Sequence, residues 1–292
     1  MKIGLGPTFL TPTKSWPTIK RMAELADEGP YSSFAMLDRL AYDSYEPLAT
    51  LSAVAAVTTR VRLMTAVLVS PLRTAGILAK QAATVDAISN GRLTLGLAVG
   101  SRPDDSLVAP AGFHDRGRRF VEQLTEMRRI WAGEKLEGAT YAVGPLPVRK
   151  GGPELLLGGT AEAAIDRVGR FGDGYVMGGR GNEEGWVRDI VAKVNEAWAK
   201  HGRSGKPRFV ASLPCAFGPD AQEQIDEAVA HYYGGRPSRG GERRVSLNPT
   251  SKGAVRELIA MLEGQGVDEL VLRPARLDLA QVDLLTAALL NP

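Results

Sequence analysis

The stretch GRLTLGLAVGSRPDD, residues 91–105, contains the pattern on which the fold prediction depends. It begins with leucines and small residues that read as a fully buried strand, and it stops abruptly at a polar, charged segment. A strand that is apolar on both sides belongs to a parallel sheet whose two faces are covered by helices. The polar segment after it then marks the edge of that sheet.

The same alternation recurs along the whole chain. Short apolar runs that predict strands lie at residues 2–6, 33–37, 61–69, 92–99, 154–158, 174–178, 208–213 and 268–272. Longer segments repeat apolar residues at helical spacing, as in residues 16–28, 112–132 and 251–264. Eight strand–helix units in 292 residues predict one (β/α)8 barrel domain over residues 1–292. An open doubly wound sheet would need a glycine-rich phosphate turn after the first strand, which is missing.

Two segments interrupt this rhythm. Residues 133–153 are rich in glycine and proline and predict an insertion before the fifth strand. Residues 234–250 predict a second insertion before the eighth strand. Because loops of that length in a compact domain are often functional, we interpret the second insertion as a mobile lid.

The composition is that of an ordinary globular domain, with 44% hydrophobic and 24% charged residues. The 36 basic and 33 acidic residues nearly balance, and basic residues are not interleaved with stacking aromatics, so we expect no nucleic-acid partner. No apolar run approaches transmembrane length, and the first residues, MKIGLGPTFL, lack the apolar core of a signal peptide. We therefore expect a cytoplasmic protein without a membrane partner.

Cysteine and histidine usage excludes several kinds of site. Cys215 is the single cysteine, which excludes an internal disulfide and a cysteine-based metal site. His114, His201 and His231 lack the spacing of metal ligands, so we expect no metal centre. The chain also lacks a Gly-X-Ser-X-Gly turn, which argues against a hydrolytic serine nucleophile.

The reactive groups of a (β/α)8 barrel lie at the carboxyl ends of its strands. The candidates at these ends are Asp38 and Arg39 after the second strand, Ser101 and Arg102 after the fourth, Gly158, Gly159 and Thr160 after the fifth, and Gly178, Gly179 and Arg180 after the sixth. The adjacent carboxylate and guanidinium after the second strand are suited to position a ring or handle a proton. A surface ion pair is the alternative interpretation of these two residues.

The segment LLLGGTAEAAIDRVGRFGDG, residues 155–174, predicts a phosphate cradle. A buried strand ends in two glycines, Thr160 is placed to cap, and a helix follows at once with Glu162 in its first turn. Free N–H groups at a helix start attract anions, and glycines let an anion approach the backbone. An ordinary strand-to-helix turn with an N-cap would need the same residues, so that alternative stays open.

A long block of the chain resembles a known family. RVRLMTAVLVSPLRTAGILAKQAATVDAISNGRLTLGLAVG, residues 60–100, is similar to the central block of the bacterial luciferase-like superfamily of flavin oxidoreductases. FHDRGRRFVEQLTEMRRIW (113–131), LLLGGTAEAAIDRVGRFGDGYVMG (155–178) and NPTSKGAVRELIAMLEGQGVDELVL (248–272) continue the resemblance in the expected order. The resemblance covers most of the chain, apart from residues 133–153 and 234–247.

The resemblance implies a (β/α)8 barrel that binds FMN or the deazaflavin coenzyme F420 at its mouth. It places a cis peptide of the third strand, Ala66–Val67, behind the ring, with Asp38 near the polar edge of the ring. The remaining cofactor-binding positions that it implies are Gly100 at the fourth strand, Gly158, Gly159 and Thr160 around the phosphate, and Gly178 and Gly179 beside them.

Two departures from the family pattern bear on the function. Luciferase has an arginine near the end of the fourth strand that helps hold the phosphate of FMN, and Val99 stands at the matching position here, which favours F420. The F420-dependent sugar-phosphate dehydrogenases have catalytic His and Glu where this chain has Arg39 and Ser101. Their acid–base scheme, and with it a sugar-phosphate substrate, therefore does not transfer.

The resemblance thus predicts F420-dependent hydride transfer to or from a small organic substrate. The alternatives are an FMN-dependent monooxygenase that uses reduced flavin and O2, and a non-catalytic flavin-binding protein on the same fold. The candidate catalytic residues are Asp38, Arg39 and Ser101, and the candidate substrate-pocket residues are Arg102, His114 and Arg180. The expected partners are a separate flavin or F420 reductase and a second copy of the chain in a homodimer.

Overall fold

Eight parallel strands close into a barrel in chain order, and the last strand pairs with the first. The computed structural model describes residues 1–8, 10–12, 14–109, 111–179, 183–233 and 248–290. The strands are β1 (Lys2–Leu5), β2 (Ser33–Met36), β3 (Arg62–Val69), β4 (Leu93–Ala98), β5 (Glu154–Leu157), β6 (Gly174–Gly178), β7 (Arg208–Cys215) and β8 (Glu269–Pro274). The predicted (β/α)8 barrel is confirmed. The predicted strand ends differ most at β7 and β8, which extend beyond residues 213 and 272.

Helices cover the outside of the barrel. Their bounds are α1 (Trp16–Glu28), α2 (Pro47–Val57), α3 (Ala75–Ile88), α4 (Pro103–Val108), α5 (Arg116–Trp131), α6 (Glu162–Phe171), α7 (Glu184–Lys200), α8 (Ala221–Tyr233), α9 (Lys252–Gly264) and α10 (Leu279–Leu290). The helix predicted over 112–132 begins later than expected. It is α5, which starts at Arg116, so Phe113 lies before the helix. None of the described helices is long and apolar enough to cross a membrane.

The helix faces follow from the sequence pattern. In α1 the side chain of Ser15 accepts the N–H of Thr18, and in α9 Ser251 accepts the N–H of Ala254, so each helix starts at a capping residue. The apolar face of α1 that lies against the sheet consists of Ile19, Met22, Ala23 and Ala26. Burial of such faces is the main favourable contribution to packing the helices on the barrel.

The interior of the barrel is filled in layers, as alternate residues of each strand point inward. Its apolar middle layer is formed by Ala35, Met64, Ala66, Leu156, Val176, Val210 and Val271, with Val67 packed against it. At the amino-terminal end, the buried carboxylate of Glu269 accepts hydrogen bonds from Ser33 and Arg208, and Arg208 also pairs with Glu154. This network closes one end of the barrel, so the mouth lies at the other.

Helix α8 lies on the rim of that mouth. Its apolar residues Ala221, Ile225 and Ala228 pack with Leu10, which follows β1, and with small residues just after β7 and β8. The helix therefore covers the carboxyl ends of these strands, while α9 makes the regular connection to β8. Residues 234–247, which contain most of the predicted lid, lie outside the described residues.

The predicted insertion at residues 133–153 lies between α5 and β5 and contains no helix or strand. It packs along α3. Lys80 donates to the carbonyl of Gly144 over 2.6 Å, and the buried carboxylate of Asp86 accepts the N–H of Val148 over 2.9 Å. These contacts lie outside the barrel and away from its mouth.

Candidate active site at the barrel mouth

Strand β3 is interrupted at the mouth by a cis peptide bond between Ala66 and Val67. The pairing of β3 with β4 shifts register between Thr65 and Leu68, so the strand bulges there. Gly96 of β4 permits this arrangement, because a Cβ atom at Gly96 would lie 2.0 Å from the carbonyl oxygen of Thr65. The cis peptide occurs at the position that the family resemblance implies.

Asp38 holds the end of this bulged strand. Its carboxylate, 3% exposed, accepts the N–H of Val69 over 2.9 Å and is paired with Arg73 over 2.6 Å. The backbone N–H of Asp38 donates to the carbonyl of Val67, in the peptide unit that directly follows the cis bond. Both carboxylate oxygens are thus taken up by protein donors. Asp38 therefore contacts the end of β3 and the Arg73 side chain, and it fixes the shape of the bulge.

Sequence reasoning missed Arg73, the partner of Asp38. It lies just after the short 3-10 helix Ser70–Leu72, and its guanidinium also donates to Glu46 over 2.9 Å. The available signal was the basic residue that follows Pro71 in the long family-like block.

Arg39 is occupied by ion pairs in this structure. Its side chain is 6% exposed and donates to Asp105 over 2.9 Å and to Asp104 over 3.0 Å. Asp105 also accepts the backbone N–H groups of Leu40 and Ala41, so it organises the loop after β2. This geometry joins that loop to α4. A buried pair of this kind is costly to open, because opening it leaves a charge without its partner.

A cluster of arginines and tyrosines, here called the arginine–tyrosine cluster, fastens the end of α8 to the rim. It consists of Arg39, Tyr42, Arg102, Tyr232 and Tyr233. Arg102 donates to the carbonyl of Tyr232 over 2.7 Å and lies 4.5 Å from the centroid of the Tyr232 ring. Arg39 lies 5.4 Å from the same ring. The tyrosines were not predicted, since only the folded chain brings residues 42 and 232 together.

At Tyr42 burial outweighs the neighbouring guanidinium groups, since Arg39 and Arg102 by themselves lower the pKa of this phenol. Burial, assisted by the nearby Tyr232, raises the pKa of Tyr42 to about 12. The phenol of Tyr42 therefore stays protonated at neutral pH and donates to the carbonyl of Leu10 over 3.0 Å. The two predicted site residues Arg39 and Arg102 are thus both engaged in holding α8 over the rim.

Other predicted site residues are more exposed. Ser101 lies on the rim just before α4, and His114 is exposed with its ring edge-on to Phe113. Arg180, a predicted substrate-pocket residue, lies outside the described residues.

The inward positions nearest the mouth have small side chains. They are Gly6 after β1, Ala98 in β4, Gly158 after β5, Gly178 in β6 and Ser212 in β7. Gly178 is exposed, and a Cβ atom there would meet nothing closer than the carbonyl oxygen of Ser212 at 3.7 Å. Small residues on most of the strands fill this layer less than large apolar side chains would.

Arg273 of β8 is a large residue in this layer and was also missed. Its side chain is 1% exposed, and its guanidinium donates to Ser212 over 2.8 Å and to the carbonyl of Ala35 over 2.9 Å. It also reaches the carbonyl of Ala66 in the cis peptide over 3.5 Å. Burial lowers the pKa of Arg273 to about 9, so the guanidinium stays charged at neutral pH. The sequence signal was an arginine in register with the inward residues Glu269 and Val271.

The predicted phosphate cradle lies between β5 and α6. Gly159 has a φ of +127°, and a Cβ atom there would lie 2.8 Å from that of Ala164, so this position needs glycine. The prediction that Thr160 caps the helix is wrong, because Ala161 occupies the N-cap and α6 has no side-chain cap. The N–H groups of Glu162 and Ala163 are therefore left for another acceptor, while that of Ala164 donates to the carbonyl of Ala161. An anion would satisfy them.

The barrel brings most of the predicted cofactor residues to one end of the molecule. Asp38, Ala66 and Val67 are in direct contact, while Gly100, the cradle and Gly178 follow neighbouring strands around the same rim. Uncapped helix N–H donors and the bulge of β3 therefore lie at one mouth. Among the described residues, no group of three or more His, Cys, Asp or Glu side chains is placed to hold a metal ion.

Comparison with known proteins agrees with this geometry. The sequence profile of the luciferase-like monooxygenases matches residues 3–272. The FMNH(2)-dependent dimethylsulfone monooxygenase of Pseudomonas fluorescens is 31% identical over 196 residues, which cover 64% of this chain and 52% of that protein. The monooxygenase RslO1 from Streptomyces bottropensis superposes with a TM-score of 0.82 at 24% identity, covering 99% of both chains.

An F420-dependent secondary alcohol dehydrogenase, solved with an F420–acetone adduct, has the same fold, with a TM-score of 0.79 at 15% identity over 99% of this chain and 98% of that one. Flavin and deazaflavin enzymes thus both occur among the proteins that share this architecture. The extent of the profile match and the barrel with its bulged third strand lead to one conclusion: the chain belongs to the luciferase-like monooxygenase family.

Proposed function

We propose that this protein is an oxidoreductase that binds coenzyme F420 at the barrel mouth and transfers a hydride between it and a small organic substrate. The observation that carries the proposal is the uncapped start of α6, which lies beside glycines on the same rim as the bulge of β3. A cofactor with an anionic tail and a planar ring needs N–H donors for the tail and a support for the ring at the same mouth. Small side chains between them supply the space.

The residues of this chain would divide the work of holding the cofactor. Gly158, Gly159 and the first turn of α6 would bind the phosphate, and the Ala66–Val67 bulge would support the ring. Asp38 would act as a positioning residue, since it holds the bulge through Val69. The cofactor itself supplies the hydride chemistry, while the protein supplies orientation and excludes water.

The loops around the mouth would form the substrate pocket. Arg39 and Arg102 would position α8 over it through the arginine–tyrosine cluster rather than touch the substrate. Ser101 and His114 remain the proposed polar groups open to a substrate, as both are exposed. We also propose that the chain acts as a homodimer.

Two features favour F420 over FMN. Val99 leaves the end of β4 itself without a cationic side chain. The start of α5 supplies Arg116, whose guanidinium donates to the carbonyl of Gly100 over 3.2 Å, while Arg118 and Arg119 pair with Asp115. A cation placed just beyond the end of β4 would suit F420, whose phosphodiester continues into an acidic tail, better than it suits the shorter FMN.

The second candidate is an FMN-dependent monooxygenase that uses reduced flavin from a separate reductase. The relative from Pseudomonas fluorescens, named as an FMNH(2)-dependent enzyme, supports it. A non-catalytic flavin-binding protein is the third candidate.

Titration of the purified protein with F420 and with FMN, followed by cofactor fluorescence, tests the ranking. We expect the lower Kd for F420. A lower Kd for FMN would reverse the ranking, and no binding of either would refute the proposal. Substrate-dependent bleaching of the reduced cofactor then separates an enzyme from a binder, because a binder would hold the cofactor without turnover.

A further inference from the structure

Arg273 of β8 is the largest of the side chains that are fully buried among the described residues. It points into the barrel, where Val271, two residues earlier on the same strand, belongs to the apolar middle layer. Moving a guanidinium out of water costs free energy, and an apolar side chain would fill this position at a lower cost. Arginines are accordingly rare in fully buried positions. The positive charge of Arg273 therefore needs a reason beyond packing.

The guanidinium of Arg273 is oriented by neutral oxygen atoms. Its Nε donates to Oγ of Ser212 over 2.8 Å, and its Nη1 donates to the carbonyls of Ala35 over 2.9 Å and Pro7 over 3.3 Å. Gly6 makes room for these bonds, because a Cβ atom there would lie 2.8 Å from Nη1 of Arg273. Hydroxyl and carbonyl oxygens accept hydrogen bonds without carrying a net charge, so these contacts fix the guanidinium in place and do not offset its charge.

The same guanidinium contacts the bulge of β3 from inside the barrel. Its Nη2 reaches the carbonyl oxygen of Ala66, in the cis peptide, over 3.5 Å. The carboxylate that holds the bulge, that of Asp38, is itself paired with Arg73. Charges buried in protein are screened by solvent and salt much less than charges at the surface. Arg273 therefore places a positive charge behind the bulge.

We infer that Arg273 is a positioning residue that stabilises negative charge on the ring of the bound cofactor. The inference rests on the proposed function, which puts the ring against the Ala66–Val67 bulge. When the substrate is oxidised, one of its C–H bonds breaks, the hydride adds to the ring with both electrons, and the substrate releases a proton to solvent. This step adds one negative charge to the ring. A positive charge that is fixed beforehand stabilises that product without reorganisation.

The affinities for oxidised and reduced cofactor test this role, with FMN and F420 as probes. The parent protein should bind the reduced form at least tenfold more tightly than the oxidised form, which raises the reduction potential of the bound cofactor. In Arg273→Gln the ratio of the two affinities should fall towards one, whereas Arg273→Lys, which keeps the charge, should retain most of it. No preference in the parent protein would overturn the inference. An equal loss of affinity for both forms in Arg273→Gln would also overturn it, since Arg273 would then only support the fold.

Ser212→Asp tests the charge while keeping Arg273 in place. A carboxylate at this position would pair with Nε of Arg273 and offset its charge, so the ratio should fall as in Arg273→Gln. This variant also replaces Arg273→Gln if the latter does not fold. Arg276→Met is the matched control, since Arg276 is exposed and pairs with Asp220 and Glu227, and it should keep the ratio of the parent protein. A fall of the same size in the control would overturn the specific role of Arg273.

The absorption spectrum of the reduced cofactor provides a second readout. On the parent protein the reduced cofactor should keep the spectrum of its anionic form to a lower pH than it does free in solution. In Arg273→Gln this difference should disappear. The same pH dependence in both proteins would overturn the inference alone, because the cofactor would still bind. Failure of the parent protein to bind either cofactor would instead refute the proposed function, and the inference with it.

Discussion

At the scale of single residues, the candidate site is defined by what surrounds each charged group. Asp38 and Arg39 are neighbours in the chain but serve different parts of the structure, since Asp38 holds β3 and Arg39 holds α4. A pair that reads as one catalytic unit in the sequence is therefore two separate anchors. Backbone groups, by contrast, behave as their local sequence predicts, as the positive φ of Gly159 shows.

The cradle can be tested by changing Gly159. Gly159→Asp should weaken cofactor binding more than tenfold, because a carboxylate would repel the phosphate. Gly159→Ala is the control, as it has the same backbone strain and the same close approach to Ala164 but no charge. The measurement is the Kd of each folded variant. If both variants bind equally well, the phosphate does not lie at this turn.

At the scale of elements, α8 depends on a few rim contacts for its place. Its apolar side packs against small residues that follow β7 and β8. Its carboxyl-terminal end is held by the arginine–tyrosine cluster. Cation–π contacts of this kind contribute about 0.5–2 kcal/mol each. The contacts that hold α8 are therefore distinct from those that hold the barrel together. The mobility of α8 can change without unfolding of the sheet.

Tyr232→Leu should loosen this cover. We expect the amide protons of α8 to exchange about tenfold faster, since about 1.4 kcal/mol of stabilisation would be lost, while exchange in the β-strands stays the same. Tyr141→Leu, at an exposed position in the 133–153 insertion, is the control. Equal acceleration throughout the molecule would contradict the separation of α8 from the barrel.

The contact between α6 and α7 predicts a pH dependence. Asp166 accepts hydrogen bonds from Lys200 and His201, each over 2.9 Å, and these lower the pKa of Asp166 to about 2. Because this folded-state pKa lies below the unfolded value of about 3.9, the contribution of Asp166 to stability is present above pH 4 and is lost as the pH falls towards 2. Asp166→Asn should therefore be less stable than the parent protein at pH 7.

Urea unfolding at several pH values checks this prediction. The difference in unfolding free energy between Asp166→Asn and the parent protein should shrink as the pH is lowered from 4 to 2. A difference that stays constant over this range would show that the carboxylate charge is not its source.

At the scale of the whole molecule, stability and binding are assigned to opposite ends of the barrel. Glu269 lies in the buried network at the amino-terminal end, where it accepts hydrogen bonds from Ser32 and Ser33 and pairs with Arg208. Removing one partner of a buried ion pair leaves the other charge uncompensated. The mouth, at the other end, holds the features that we propose to bind a cofactor.

Glu269→Gln should therefore lower the free energy of unfolding by about 3 kcal/mol and leave the cofactor Kd unchanged. Glu263→Gln, at an exposed position, is the control and should change neither quantity. Denaturant titration and fluorescence titration provide the two measurements. A large change in Kd for Glu269→Gln would mean that the two ends are coupled.

The sequence by itself determined the class of fold, the positions of all eight strands and the glycines of the cradle. These depend on local periodicity and on backbone conformations that few residues allow, so they can be read within short windows. The family-like block also located the cis peptide at Ala66–Val67. Even here the tertiary context corrected one detail, since Ala161 and not Thr160 occupies the N-cap of α6.

Only the tertiary structure decided which charged groups face the mouth and which ones fasten the loops and helices around it. Arg273 meets the carbonyl of Ala66 across 207 residues of chain, and Arg102 meets Tyr232 across 130. Such partners cannot be read from local patterns, because closing the barrel brings distant strand ends to one rim.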